Sequence, residues 1–216
     1  MQECSFQNSA TRNKNMSETT NHAIGKFWNR FANAASKIAA NPEDQTLLAT
    51  LDSLVVAIHP DIAWEIGPGK NAEWQLVISP DLHADLLPLT EAIVSKAPHL
   101  PNWEFYPYRQ PKEWNYRFEL QHDDGHSTPI DARNWRYVLL RYPDGGTEIL
   151  LHGDNVDHLS ETERNQAAAL LLQGVLGEKI MLNPDLFFTL SPTIDEKFRQ
   201  REKPITALAN AFGLAS

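Results

Sequence analysis

Two apolar segments, each interrupted by a short turn, constrain the fold of this chain more than any other feature. Residues 62–80 read IAWEIGPGKNAEWQLVISP, and residues 135–152 read WRYVLLRYPDGGTEILLH. Runs rich in β-branched and aromatic residues are typical of strands, and the Gly and Pro between them favour a tight connection. The sequence therefore predicts two β-hairpins.

A helical pattern and a further strand follow each hairpin. Residues 83–97 carry leucines at helical spacing, and Trp103–Tyr108 resembles a strand. In the second half, Ser160 and Glu163 form a capping-box pattern before a helix that Gly177 ends. A strand at 187–190 follows that helix. The order strand, strand, helix, strand thus occurs twice, with an extra strand at 116–121 between the copies. We find no convincing residue-level repeat, so only the pattern is repeated.

Two helices precede the first of these β-β-α-β units. Apolar residues recur at helical spacing from Ile24, and again between Pro42 and His59, which predicts an αα-hairpin. We expect an α+β fold whose antiparallel-rich sheet or sheets have helices on one side. The expected segments are a disordered tail (1–21), the helical hairpin with the first unit (22–112), the second unit (113–192) and a C-terminal helical tail (193–216), interrupted by Pro204.

Charge and cysteine content bear on compartment and partner. The formal net charge is -9, which disfavours nucleic acid as a general partner because phosphate backbones are also negative. A single cysteine, Cys4, excludes an internal disulfide. No apolar run approaches the length of a membrane span, and residues 1–20 lack the apolar centre of a signal peptide. We expect a cytoplasmic protein without a membrane partner, and Met1 and Met16 both stay open as its native start.

Histidine and aspartate gather in three loops, where they are compatible with a metal site or with turns and helix caps. His122, Asp124 and His126 belong to the loop HDDGH, which also matches a plain hairpin tip. His152, Asp154 and His158 lie before the second helix, as Asp81, His83 and Asp85 lie before the first. Aspartate before a helix commonly satisfies free backbone N–H groups. We favour turns and caps, and expect neither a stoichiometric metal nor another cofactor.

The link between the two units, residues 106–116, is crowded with aromatic residues, arginine and proline. It reads YPYRQPKEWNY, and its candidate partner-binding residues are Tyr106, Tyr108, Arg109, Trp114 and Tyr116. Tyr, Trp and Arg dominate protein–protein contacts. One interpretation is a partner surface with Arg109 and Trp114 exposed. The alternative is a linker that packs on its own domain.

The segments WEIGPG, WQLVISP, LPNWEFYPYRQPK, LLRYPDGG and LLLQGVLGE resemble a group of uncharacterised bacterial α+β proteins, across residues 25–190. The resemblance includes a helix that ends in Leu-Gly-Glu and implies no activity. The order of elements also resembles the small α+β fold of ribonuclease E inhibitor proteins. That second resemblance rests on element order alone, and a fold does not carry a function.

Searches for catalytic motifs give negative results. GPGK lacks the spacing of a phosphate loop, and Ser79 is not part of a nucleophile elbow. We therefore expect a non-catalytic cytoplasmic protein that binds or regulates another protein, in the manner of an inhibitor or an immunity protein. Two alternatives stay open. They are a metal-assisted hydrolase that uses the His/Asp loops and a small-ligand-binding module.

Overall fold

The computed structural model describes residues 17–122 and 125–214. The chain forms two compact units, and each unit is built from two separate segments of the sequence. The first unit contains the residues up to Ile78 together with Pro88–Pro107, and the second contains Ser79–Leu87 together with the residues from Tyr108 onward.

The first unit begins with the predicted αα-hairpin. Helix α1 spans Glu18–Ala40 and helix α2 spans Gln45–Val56. The side chain of Ser17 accepts a hydrogen bond from the Thr20 N–H and caps α1. Because of this cap, the helix begins inside the stretch for which we expected a tail, so that expectation is wrong for residues 18–21. Residues 1–16 lie outside the described part.

Aromatic side chains form the core of the first unit. The ring of Phe31 on α1 meets that of Trp103 edge to face, with centroids 4.9 Å apart. Trp28 meets Phe105 in the same way at 5.0 Å, and its indole N–H donates to the Ile93 carbonyl oxygen at 2.8 Å. Edge-to-face pairs add to the stability gained from burying large rings, so α1 is fixed firmly on its buried face.

The sheet of the first unit has the order β1-β2-β3. Its strands are β1 (Ala63–Pro68), β2 (Trp74–Ser79) and β3 (Trp103–Tyr106). Strands β2 and β3 are parallel, with Trp74 opposite Trp103. A 3-10 turn and helix α3 (Leu87–Val94) occur between them in sequence, as a parallel connection requires.

The second unit contains two sheets. Strands β4 (Arg117–Gln121) and β5 (Ser127–Asp131) form an antiparallel hairpin. The other sheet has the order β8-β7-β6-β9. Its strands are β6 (Arg136–Arg141), β7 (Thr147–His152), β8 (Leu186–Ser191) and β9 (Lys203–Pro204).

Helix α4 packs against the larger sheet. It spans Glu161–Leu176 and has the predicted capping box at Ser160 and Glu163. Gly177 ends it with φ +77°, a conformation that favours glycine. Helices α5 (Glu178–Met181), α6 (Glu196–Arg199) and α7 (Leu208–Ala211) are short. The core includes Tyr137, Ile149, Leu171 and Leu190.

The two units share a topology, so the repeated pattern is confirmed. In each, a hairpin is followed by a helix and by a strand that pairs in parallel with the second strand of the hairpin. The fold is α+β, with mixed sheets. The C-terminal segment is less helical than expected, because Lys203 and Pro204 pair with the edge of β6.

Candidate functional site

The link from Tyr106 to Tyr116 is held by hydrogen bonds where it enters the second unit. The Arg109 carbonyl oxygen accepts from the Glu178 N–H at 2.8 Å, and the Lys112 N–H donates to the Gly174 carbonyl oxygen at 2.7 Å. Fixed backbone of this kind is typical of a segment that packs on its own domain.

The side chain of Arg109 belongs to a buried polar cluster within the second unit, which we call the Glu178 cluster: Ser79, Asp81, Leu82, Arg109 and Glu178. The Glu178 carboxylate is fully buried, and it accepts from the Ser79 hydroxyl and from the N–H groups of Leu82 and Arg109. The Arg109 guanidinium lies 3.5 Å from Glu178 and 2.8 Å from Asp81. These donors compensate the cost of burying a carboxylate.

Trp114 packs inward. A Cβ added at Gly174 would lie 2.6 Å from its ring, so α4 carries glycine where the indole makes close contact. The Arg109 side chain is only 17% exposed, because it pairs with two carboxylates. The expectation of an exposed pair formed by Arg109 and Trp114 is therefore wrong. Whether the link contacts a partner stays a prediction.

The three tyrosines of the link are half-buried. Burial, together with hydrogen bonding to Glu104, raises the pKa of Tyr106. The Tyr108 ring has the Lys179 ammonium 5.4 Å from its centroid. Tyr116 has φ +58°, which is unusual for a bulky residue, and its carbonyl oxygen accepts from the Ala132 N–H.

The GPGK turn of the first unit binds a carboxylate of its own chain. Glu104 accepts from the backbone N–H groups of Lys70 and Asn71. Burial alone would raise the pKa of Glu104, but these N–H donors hold it below the usual range. A Cβ at Gly69 would lie 2.8 Å from the Glu104 carboxylate, so glycine is needed for this approach. The turn is occupied by an internal anion.

His122 and His126, the two histidines of HDDGH, follow the end of β4 and precede the start of β5. His122 Nε2 lies 2.8 Å from the Thr128 hydroxyl, and its Nδ1 lies 3.5 Å from Glu163. The backbone N–H of His122 donates to the His126 carbonyl oxygen. Asp124 lies outside the described residues. The hairpin-tip interpretation of this loop is thus confirmed by the pairing of its strands.

His152, the last residue of β7, has protein oxygens next to both of its ring nitrogens. Its Nδ1 lies 2.7 Å from the carboxylate of Glu202, and its Nε2 lies 3.2 Å from the Pro192 carbonyl oxygen. Asp154 and His158 are exposed. Within residues 17–122 and 125–214, no three His, Cys, Asp or Glu side chains come together as metal ligands. Asp81 does not cap a helix, since its carboxylate accepts from Arg109.

The exposed face of α1 is strongly biased in charge. It carries His22, Lys26, Arg30 and Lys37, and no acidic residue occurs from Thr19 to Ala40. None of the three lysines and arginines forms an ion pair within the described part of the chain. A chain with net charge -9 thus displays an unneutralised cationic face on one helix.

Next to this face lies a groove between α1 and α2, which we call the α1–α2 groove. Its volume is about 540 Å³. The lining consists of Lys26, Asn29, Arg30 and Asn33 from α1 and Thr50, Ser53 and Leu54 from α2. Both hydroxyls already donate to carbonyl oxygens of their own helix. The groups free to donate to a ligand are therefore two cations and two amides, which suits a carboxylate-bearing partner.

Sequence reasoning missed both the Glu178 cluster and this groove. The cationic face could be read from the sequence, because His22, Lys26, Arg30 and Lys37 follow one another at intervals of four, four and seven residues, opposite the apolar stripe. Glu178 was not, since its partners are distant in sequence and glutamate is rarely buried.

Comparison with protein-family models, with curated proteins and with solved structures finds no match to this chain. No helix in the described residues has the length and apolar character needed to cross a membrane.

Proposed function

We propose that the chain is a non-catalytic cytoplasmic protein that binds and regulates another protein, in the manner of an inhibitor or immunity protein. The α1–α2 groove carries the proposal, and its occupant is an acidic segment of the partner. Lys26 and Arg30 supply positive charge there, and Asn29 and Asn33 supply amide donors.

Charge complementarity supports an acidic partner. Exposed cations without an internal counter-ion attract carboxylates at a distance and accelerate association, and salt weakens that effect. The rigid placement of α1 by its aromatic face adds to this, since a preorganised surface loses little entropy on binding. Arginine also offers a planar pair of N–H donors that matches a carboxylate.

A protein segment fits the groove better than nucleic acid does. Proteins that depend on phosphate contacts commonly neutralise about six to ten phosphates. The α1 face offers three lysines and arginines, on a chain whose net charge is negative. A long polyanion that left the groove would meet a repulsive surface, whereas a short acidic segment would not.

The direct test is fluorescence anisotropy with a labelled Glu/Asp-rich peptide. We expect the unmodified protein to bind it and the Lys26→Glu/Arg30→Glu variant to lose about tenfold or more in affinity, with added salt reducing the difference. A Lys70→Glu/Lys203→Glu variant makes the same change in net charge at two exposed sites outside the groove, and should bind as the unmodified protein does.

Two results would count against the proposal. One is equal binding by the groove variant and its charge-matched control. The other is tighter binding of a DNA oligonucleotide than of the acidic peptide, with the same dependence on Lys26 and Arg30. The metal-hydrolase and small-ligand alternatives have no separate observation in their favour.

A further inference from the structure

Strand β8 is the outer strand of the larger sheet in the second unit, and it has no charged residue, which is one of the features that commonly protect such an edge. The sheet order is β8-β7-β6-β9, so β8 pairs with β7 on one side, and no other described strand pairs with its second side. An outer strand displays backbone N–H and C=O groups that readily pair with another strand.

The charge on the described strands is distributed unevenly. Two of the nine carry no charged residue: β2, WQLVIS, and β8, LFFTLS. Strand β2 is central in its sheet, so its neighbours cover both edges. Every other outer strand carries at least one Lys, Arg, Asp or Glu, as natural sheets use to prevent edge pairing.

The side chains of β8 are also typical of an outer strand that pairs with a further strand. Phe187 is 59% exposed, more than any other exposed large hydrophobic residue of the described part. Leu186, Phe188 and Leu190 belong to the core side of the sheet, and Phe187 and Thr189 face the other way. The strand is therefore apolar on its core face and uncharged on the opposite face.

From these observations we infer that β8 is a self-association site, where it pairs antiparallel with β8 of a second copy. The symmetry suits the sequence. A two-fold axis perpendicular to the sheet and centred on Phe188 places Phe187 opposite Thr189 of the partner subunit. It also places Leu186 opposite Leu190 of the partner subunit, so each face of the sheet continues across the axis.

Strand β8 itself adds no charge repulsion between two copies. Two chains of net charge -9 repel each other, and an uncharged six-residue edge is where they approach at least cost. The pairing needs no side-chain recognition beyond uncharged neighbours, because backbone hydrogen bonds supply the contact. The assembled sheet would contain four strands from each copy.

Sedimentation equilibrium over a concentration series tests this inference. We expect a reversible dimer for the unmodified protein, and a weakening of at least about tenfold in the Phe187→Lys/Thr189→Lys variant, which places like charges across the axis. Leu170→Lys is the matched control. Leu170 is an exposed apolar residue on α4, 43% exposed, so the same kind of change there should leave the dimer intact.

Hydrogen exchange adds a local readout that folding defects do not mimic. Amides of Leu186–Ser191 should gain protection as concentration rises, with circular dichroism showing that both variants are folded. A monomer at every concentration overturns the inference, as does a dimer that Leu170→Lys breaks and Phe187→Lys/Thr189→Lys leaves intact. Protection of β8 only by an extended segment of another protein overturns it as well. The α1 variant Lys26→Glu/Arg30→Glu should dimerise normally, which separates this inference from the proposed function.

Discussion

The Ser79 hydroxyl donates to both carboxylate oxygens of Glu178, at 2.7 and 2.9 Å, although the two residues lie 99 positions apart. Both residues are fully buried. A buried carboxylate is tolerated only where donors surround it. This contact joins the last residue of β2 to the first residue of α5 inside the second unit. Asp81 and Leu82 in the loop after β2 have φ +49° and +65°, and the Leu82 N–H donates to Glu178.

Replacing Glu178 by glutamine should destabilise the protein by about 3 kcal/mol, because the buried amide neither pairs with the Arg109 guanidinium nor satisfies all the N–H donors that the carboxylate accepts from. The new amide would also point an N–H group at a backbone N–H of Leu82 or Arg109, where the carboxylate accepts from both. Urea denaturation measures the free energy of unfolding. Asp81→Asn is the control. It removes only the half-exposed partner of Arg109, and asparagine tolerates the positive φ, so its cost should stay below about 1 kcal/mol. Equal losses in the two variants would contradict this account.

Replacing Gly174 by alanine should cost about 1–3 kcal/mol, because the added Cβ meets the Trp114 ring at 2.6 Å inside packed structure. Thermal or urea unfolding measures the loss, and tryptophan fluorescence should report a displaced ring. Gly25→Ala on α1 is the matched variant, since nothing lies within 4 Å of its Cβ. Alanine there should stabilise the helix by about 0.5–1 kcal/mol. A neutral Gly174→Ala variant would show that the link packs loosely.

His152 and His158 differ in structural role, although both belong to the same candidate metal loop of the sequence analysis. His152→Ala should cost about 2 kcal/mol, because the Glu202 side chain, which is 7% exposed, would keep only Arg136, at 3.9 Å, as an ion-pair partner among the described residues. His158 is exposed, and His158→Ala should stay within about 0.5 kcal/mol. Melting temperatures with and without Zn²⁺ complete the test. A Zn²⁺-dependent stabilisation that both variants abolish would favour the metal site instead.

The order of the elements could be predicted from the sequence because the signals are local. The Gly/Pro turns separate β1 from β2 and β6 from β7, and Ser160 with Glu163 marks the start of α4 through contacts only three residues apart. The observed strand ends differ from the predicted ends by one or two residues. Strand β3, for example, ends at Tyr106 and not at the predicted Tyr108. Strand β9 escaped prediction, because two residues have no periodicity and their pairing partner is β6.

The chemistry of the candidate sites depends on contacts that no local pattern encodes. Arg109 has the residue type of a binding-site anchor, yet it pairs with Asp81 and Glu178 at distant positions in the chain. Trp114 likewise faces inward because α4 carries a glycine sixty positions away. Residue type therefore identified side chains that form strong interactions. Only the fold shows whether those interactions are with the same chain or are left for a partner.

Glu163 should make the stability of the protein depend on pH. Hydrogen bonds from Ser160, followed by the nearby His122 and His158, hold the pKa of Glu163 below its usual value. A carboxyl group whose pKa is lower in the folded state stabilises that state above its unfolded pKa of about 4.3. The stabilisation is lost as the pH falls through the folded pKa. Glu163→Gln should therefore destabilise the protein at neutral pH, and the difference from the unmodified protein should vanish in acid.

Urea denaturation at neutral pH and at about pH 3 measures that difference, and an NMR titration of the Glu163 carboxyl follows its pKa directly. Glu161→Gln is the control, because Glu161 lies in the same first turn of α4 and its side chain forms no hydrogen bond within the described residues. Its effect should be smaller at neutral pH, since it interacts with the helix dipole alone. A Glu163→Gln effect of equal size at both pH values would show that glutamine loses a contact unrelated to charge, and would remove Glu163 as a source of the pH dependence.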